Sequence, residues 1–319
     1  MKAVSWEAAG LPLFSPPRSD GEGPGWALRG ARETALNLRE AERAPSLTPP
    51  GKDGEKKAVL VAEALVKRFG GFVAVDGVSL AVGAGEIAGL IGPNGAGKTT
   101  MFDLLAGSQR PDSGRVLIDG RVAGASPAHR RIAMGLGRTF QIPRPFLDMT
   151  LVENVMLGRQ SQFGERILPN WLSGRRVARE ERETHVQAMA WLDFMTLSRL
   201  AREPARKLSG GQRKLLELAR VLMAEPSIIL LDEPAAGVNP TLLETIIERI
   251  LEINRRGVTF LVIEHNMDMV ARLCGRVVVM ASGKRLAEGA PAEVARDPAV
   301  IEAYLGGPAP SPASGRGLG

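Results

Sequence analysis

Apolar residues are spread unevenly along the chain, and their spacing divides it into three stretches. Residues 1–56 carry seven prolines and eight charges of each sign, with no sustained period of two or of 3.6 residues. Such a segment cannot bury enough apolar surface to offset its ordering entropy, so a disordered extension is expected there. Residues 57–306 are regular and read as the folded domain, and 307–319, rich in Pro, Gly and Ser, as a flexible tail. Ala58–Val66 and Phe72–Val82 look like strands, and Arg115–Ile118 runs into Asp119-Gly120, a two-residue hairpin signal. Glu86–Ile91, Ser227–Leu231, Val258–Ile263 and Val277–Met280 are short, nearly continuous apolar runs alternating with helical stretches. Runs of this kind belong to strands covered on both faces, so the pattern predicts an α/β fold with a mostly parallel core sheet and a separate antiparallel β part. Between 150 and 205 no strand-like run occurs, and Val186, Met189, Ala190 and Phe194 fall at helical spacing. A helical subdomain, inserted at about residues 142–208, is expected. Near the end, Asp297-Pro298 reads as the N-cap and first turn of a helix, with Ile301 and Leu305 as its packing residues.

Composition changes this picture mainly by exclusion. At 319 residues and 44% apolar, the chain can bury a full core. A net charge of +6, spread over many arginines, does not by itself argue for nucleic acid, and none is expected as a partner. The single cysteine, Cys274, excludes a disulfide framework and fits a reducing compartment. His129, His185 and His265 stand too far apart for a local metal motif. No apolar run approaches the roughly 18–20 residues that cross a bilayer, and Met1–Gly10 lacks the apolar core of a signal peptide. A soluble, cytoplasmic protein is expected.

The chemistry begins at Gly92-Pro93-Asn94-Gly95-Ala96-Gly97-Lys98-Thr99, followed by Thr100, between a predicted strand and a predicted helix. This is the phosphate-binding pattern G-x-x-x-x-G-K-[ST] in the context that it requires. Glycines let the backbone turn tightly and expose successive N–H groups to phosphate oxygens. The helix that follows aims its positive end at the same anion. Lys98 is expected to reach the β- and γ-phosphates, and the Thr99 hydroxyl to ligate Mg²⁺. The second half of the site is the apolar run ending in Asp232-Glu233, where ligands of open α/β sheets bind. Asp232 is the expected Mg²⁺-organising carboxylate, and Glu233 is placed to polarise the attacking water. Further along, Ser209 and Gln212 form a capping box, with Leu215, Leu218, Ala219 and Leu222 as the apolar stripe behind it. Two adjacent glycines, Gly210 and Gly211, stand at the start of that helix, where a side chain would block close approach of a phosphate.

With Leu208-Ser209-Gly210-Gly211-Gln212 lying between these two motifs, the chain resembles ABC-transporter nucleotide-binding subunits over about residues 58–306. The resemblance implies a P-loop NTPase cassette that binds and hydrolyses ATP with Mg²⁺. It also implies that Ser209–Gln212 contact the γ-phosphate of ATP held by an opposite subunit. Phe69, in KRFGG, matches the aromatic that stacks on adenine, with Phe72 as a competitor nearby. Gln141, in GRTFQ, matches the glutamine that contacts Mg²⁺ or water and joins the core to the helical subdomain. His265 matches the switch histidine that contacts the γ-phosphate. Ala236–Pro240 occupies the D-loop, with Asn239 where many relatives carry aspartate.

GRTFQIPRPFLDMTLVENVMLG, the long insert, AAGVNP and the ending EGAPAEVARDPAVIEAYLG look like the long-insert ATPase of branched-chain amino acid importers. That resemblance implies polytopic permease subunits, a second ABC ATPase subunit as hetero- or homodimer partner, and, indirectly, a solute-binding protein. It places the chain peripherally at the cytoplasmic face of the plasma membrane. Urea or amide importers and lipopolysaccharide-export ATPases have similar cassettes, and a non-transport ABC ATPase is the alternative of another class. The arginine-rich stretch 159–182 reads as a solvated helical face, with contact to permease or anionic lipid as its sharper alternative.

Overall fold

The computed structural model describes residues 57–139, 144–160 and 174–305. The expectations for residues 1–56 and 307–319, and for Gln141, lie outside them. Strand β1 (Ala58–Phe69) turns at Gly70-Gly71 into β2 (Phe72–Gly83), pairing from Ala58↔Gly83 to Phe69↔Phe72. On the other side of β1 lies β4 (Ser113–Ile118), which Asp119 and Gly120, at φ 46° and 75°, turn into β5 (Arg121–Val122). Positive φ at both central residues gives the tight turn whose twist matches the strands, and Asp-Gly is suited to it. These strands form an antiparallel sheet ordered β2-β1-β4-β5.

The second sheet has the order β10-β9-β3-β8-β7-β6. In it β3 (Ile87–Ile91), β6 (Leu136–Arg138), β7 (Ile228–Asp232), β8 (Thr259–Ile263) and β9 (Arg276–Ala281) run parallel, and β10 (Lys284–Gly289) is antiparallel to β9. Every residue of β3, β7 and β8 is buried, as continuous apolar runs require. Helix α1 (Lys98–Ala106) follows β3 and fully buries Met101, Phe102, Leu104 and Leu105. They share one core with Leu60, Leu65, Val75 and Val78 of the antiparallel sheet and with Leu90, Leu261, Val278 and Met280 of the parallel one. A helix covered on nearly all sides holds its first turn rigidly, and that turn carries Lys98 and Thr99. The other end of α1 is closed by Arg131 of α2 (Ala128–Ile132), 1% exposed. Its guanidinium donates to the carbonyls of Leu104 (2.7 Å), Leu105 (2.5 Å), Gly124 (3.1 Å) and Ser126 (3.0 Å). A cation is favourable at a helix C-terminus.

Between β6 and β7 lie α3 (Leu151–Met156), α4 (Gly174–Phe194) and α5 (Gly210–Leu222). The helical expectation for α4 holds, and its buried face is set by residues beyond those at the noted spacing. Ala188, Trp191, Leu192 and Met195 are buried along with Phe194, whereas Val186 is 68% exposed. The remaining helices are α6 (Pro240–Arg255), α7 (Met267–Leu273), α8 (Pro291–Val294) and α9 (Pro298–Leu305). Asp297 accepts the Ala299 N–H at 2.8 Å, as an N-cap does. The packing expected of Ile301 and Leu305 is not found. Val300 is the buried residue, and Leu305 is 82% exposed.

Candidate nucleotide site

Strand β3 delivers the chain to the loop Gly92–Lys98 at the carboxyl edge of the parallel sheet. Two of its glycines are demanded by packing. A Cβ on Gly92 would lie 2.0 Å from the Met280 carbonyl oxygen, and one on Gly97 2.2 Å from that of Ala74. Gly95, at φ +79°, faces open space and needs glycine for its backbone conformation alone. Ala96 is buried, while Asn94, Gly95 and Thr99 are exposed, with Pro93 and Thr100 between these extremes. Lys98 is 6% exposed, and its ammonium donates to the carbonyls of Gly92 (2.7 Å) and Pro93 (2.9 Å). Burial holds its pKa below the ordinary lysine value, opposed by the Glu233 charge, so the phosphate loop and the end of β7 share one electrostatic field.

At that end Asp232 is 5% exposed. Arg138, at the end of neighbouring β6, donates to Asp232 Oδ2 (3.2 Å) and to Asp103 Oδ1 of α1 (2.5 Å). Desolvation raises the Asp232 pKa, and the Arg138 hydrogen bond and charge oppose the shift. Glu233 takes φ 46° and directs its Oε1 to 3.0 Å from His265 Nε2. The Glu233 carbonyl accepts from the Lys214 ammonium, which reaches over from α5. Burial lowers the Lys214 pKa, while Glu264, Glu217, Glu233 and Asp232 oppose the change. Lys98, Asp232, Glu233 and His265 are thus brought together.

Ser209 caps α5 as expected: its Oγ accepts from the Gln212 N–H (3.3 Å), and Gln212 Oε1 accepts from the Ser209 N–H (3.0 Å). Leu215, Leu218, Ala219 and Leu222 are all buried behind it. The two glycines differ in kind. A Cβ on Gly211 would strike Leu242 of α6 at 2.3 Å, so Gly211 serves internal packing, whereas Gly210 is exposed and its nearest neighbour, the Gly237 carbonyl, is at 3.6 Å. Among the described residues no hydrogen bond joins Ser209–Gln212 to Gly92–Thr100. Asn239, the departure in the D-loop, caps α6 by accepting the Leu242 N–H at 2.9 Å. Phe69 is 47% exposed at the tip of the β1–β2 hairpin, with the Lys67 ammonium 5.6 Å from its ring centroid. It is therefore no core phenylalanine, and neither is Phe72, at 63% exposed.

Among the described residues no cluster of three or more His, Cys, Asp or Glu side chains could hold a metal ion. Magnesium does not need one, since it binds through one or two protein oxygens together with phosphate oxygens and water. The residues fit that demand: Asp232 is a buried carboxylate whose charged form a cation would favour, and Thr99 supplies a hard hydroxyl oxygen. Three residues that sequence reasoning did not single out also build the site: Arg138, Lys214 and Glu264. Arg138 sits inside the quoted GRTFQ motif, but only its contact with Asp232 across the sheet shows its use.

The profile of the ABC transporter family matches residues 75–236, and that of the branched-chain amino acid ATP-binding cassette transporter matches residues 284–310. A probable branched-chain amino acid transport ATP-binding protein LivG of Archaeoglobus fulgidus is 40% identical over 248 residues, 78% of this chain and 95% of that protein. The high-affinity branched-chain amino acid transport ATP-binding protein BraF of Pseudomonas aeruginosa is 38% identical over 251 residues, 78% of this chain and 98% of its own length. Among solved structures, a nucleotide-free ATP-binding cassette from an ABC transporter is 38% identical, with a TM-score of 0.69 over 78% of this chain and all of that one. An ATP-binding cassette of an ABC transporter in its ADP conformation is 37% identical, with a TM-score of 0.67 over 79% of this chain.

Proposed function

The chain belongs to the ABC transporter family as an ATP-binding, ATP-hydrolysing subunit, and from that premise we propose that it powers the import of branched-chain amino acids. The match of residues 284–310 to the branched-chain amino acid cassette profile is the observation that carries the solute class. The names of the LivG and BraF relatives support it. The working unit is two cassettes on polytopic permease subunits at the cytoplasmic face of the plasma membrane, supplied by a solute-binding protein. No helix of the described residues is long and apolar enough to cross a membrane. Residues 57–306 act as the ATPase domain, with about 142–208 as the helical subdomain that faces them.

Each residue then has a chemical task. Phe69 offers a ring face to adenine, and the N–H groups of Gly92–Thr100 bind phosphate oxygens. Lys98 is already buried at the loop, and its charge meets the β- and γ-phosphates by exchanging the Gly92 and Pro93 carbonyls for them. Thr99, Gln141 and Asp232 would hold Mg²⁺, which would neutralise charge on the β- and γ-phosphates as the γ-phosphoryl group is transferred to water. Glu233 accepts a proton from the attacking water as general base, and His265 Nε2, 3.0 Å from its carboxylate, orients that base and contacts the γ-phosphate. Ser209, Gly210, Gly211 and Gln212 complete the site of the partner cassette, which agrees with Gly210 facing outward.

Uptake of radiolabelled leucine, isoleucine and valine tests the proposal. The chain is co-reconstituted in proteoliposomes with the permease subunits and solute-binding protein of a branched-chain amino acid importer. ATP-dependent uptake of these solutes, competed by one another, is expected. Uptake of urea or short amides without them would move the chain to another importer.

A further inference from the structure

Glu264 stands between the end of β8 and His265, is 3% exposed, and serves two loops with one carboxylate. Oε1 accepts the Ala235 N–H at 2.6 Å, and Oε2 accepts the N–H groups of His265 (2.8 Å) and Asn266 (3.0 Å). Ala235 lies two residues after Glu233, and the intervening Pro234 has no N–H to offer. Glu233 at φ 46° is in a region that is costly for a non-glycine side chain and persists only where the surroundings impose it. Three contacts do so here. The Glu233 N–H donates to the Ile263 carbonyl at 3.0 Å, the Lys214 ammonium donates to the Glu233 carbonyl, and the Ala235 N–H donates to Glu264. The same carboxylate fixes the main chain of His265, whose Nε2 meets Glu233. Both members of the Glu233–His265 pair therefore hang on one buried side chain.

We propose that Glu264 is a positioning residue for ATP hydrolysis, tying the turn that carries Glu233 to the turn that carries His265 and setting the reach between them. The proposal rests on the reading of Glu233 as the base and His265 as its partner. A carboxylate suits the task because it only accepts, and here two oxygens face three donors. Glutamine keeps the size but must turn an NH₂ donor towards one of the two loops, so one tie breaks. Aspartate keeps both acceptors on a shorter arm, so both ties lengthen.

The test uses the purified full-length chain and measures kcat, KM for ATP and Tm for the wild type, Glu264→Asp and Glu264→Gln. Misplacing a reacting group by about 1 Å can cost on the order of a hundredfold in rate. The expected order of kcat is therefore wild type, then Asp, then Gln, with Gln lower by about tenfold to a hundredfold. KM should stay within about threefold, because the phosphate loop is untouched. In a His265→Ala background the further effect of Glu264→Gln should shrink to within about twofold, as expected of residues acting as a unit. A Glu264→Gln kcat within twofold of wild type overturns the proposal. So does a loss that is equally large in the His265→Ala background and tracks a fall in Tm. Should the Gln variant not fold, Glu264→Asp decides alone: a severalfold lower kcat at unchanged KM supports the tie, and a wild-type kcat rejects it. Glu233→Gln separates the two readings. If that variant keeps its turnover, the assignment of the base fails; if it is inactive while Glu264→Gln is normal, only the tie fails.

Discussion

Replacing Phe146 and Leu147 together with serine tests the proposal that these two side chains dock on the permease subunits. Both side chains follow β6 in the chain, and they are 53% and 47% exposed. Large apolar side chains offer roughly 150–200 Å² each, so about 150–200 Å² of apolar surface faces outward here. At about 25 cal/mol per Å², full coverage by a partner helix would contribute about 4 kcal/mol. Covering half of it contributes about 2 kcal/mol, or roughly thirtyfold in affinity. The loop itself should survive the change, because its backbone is held independently. Asn154, fully buried, accepts the Phe146 N–H at 2.8 Å and donates to the Phe146 carbonyl at 3.0 Å, and the Leu147 carbonyl accepts the Arg206 N–H at 3.0 Å. What is lost internally is the contact of the Phe146 ring with the Arg220 guanidinium, 5.5 Å from its centroid, and part of two half-buried side chains. The buried portion of the two side chains is as large as the exposed one, so that loss should amount to about 3–4 kcal/mol once the small area kept by serine is allowed for. The assay is binding of the detergent-solubilised permease to the immobilised chain, beside Tm and basal ATPase activity of the chain alone. About thirtyfold weaker binding and lost transport are expected, with basal turnover retained. Unchanged binding, or a collapse of Tm and basal turnover together, would refute the reasoning.

Ser209→Arg should leave nucleotide affinity of the isolated chain within about twofold and abolish the ATP-dependent dimer seen by size exclusion, while the lost N-cap lowers stability by about 1 kcal/mol. If monomer binding collapses instead, Ser209 is a helix cap and nothing more. Arg131→Met leaves four carbonyls without their donor and should lower unfolding free energy by about 2–4 kcal/mol, read as a shift of the urea midpoint at constant m; a loss under about 1 kcal/mol would mean that water serves those carbonyls equally well. Burial pushes the Cys274 thiol up to about 12, so its thiolate fraction near pH 8 falls about a thousandfold below that of an ordinary thiol, rising tenfold per pH unit. Native chain should resist a thiol reagent at pH 8 and react once unfolded in urea; rapid labelling of the native state would contradict that burial.

The parts legible in the sequence are those that local rules specify. The phosphate loop, the buried strands, the Asp119-Gly120 turn and the Ser209–Gln212 cap each depend on neighbours within a few residues. Helix faces were less legible. In α4 apolar residues occur on more than one side, and helical spacing alone does not separate Val186, which is exposed, from Ala188, Trp191 and Leu192, which meet the core. In α9, PAVIEAYL is apolar almost throughout, and its pattern could not single out Val300 over Ile301 and Leu305. The supporting polar residues were not legible at all. Arg138, Lys214 and Glu264 reach Asp232, the Glu233 carbonyl and Ala235 from residues 94, 19 and 29 positions away, and such pairings exist only once the sheet is assembled. The one local hint was an acidic residue directly after a fully buried strand, at Glu264.

ATP binding and turnover by Glu233→Gln test the central claim most directly. The substitution keeps the size of the side chain and leaves Lys98, Thr99 and Asp232 in place. The account predicts nucleotide binding within about threefold of wild type and turnover lower by on the order of a hundredfold or more, as for removal of a catalytic base. Turnover within threefold of wild type would contradict it.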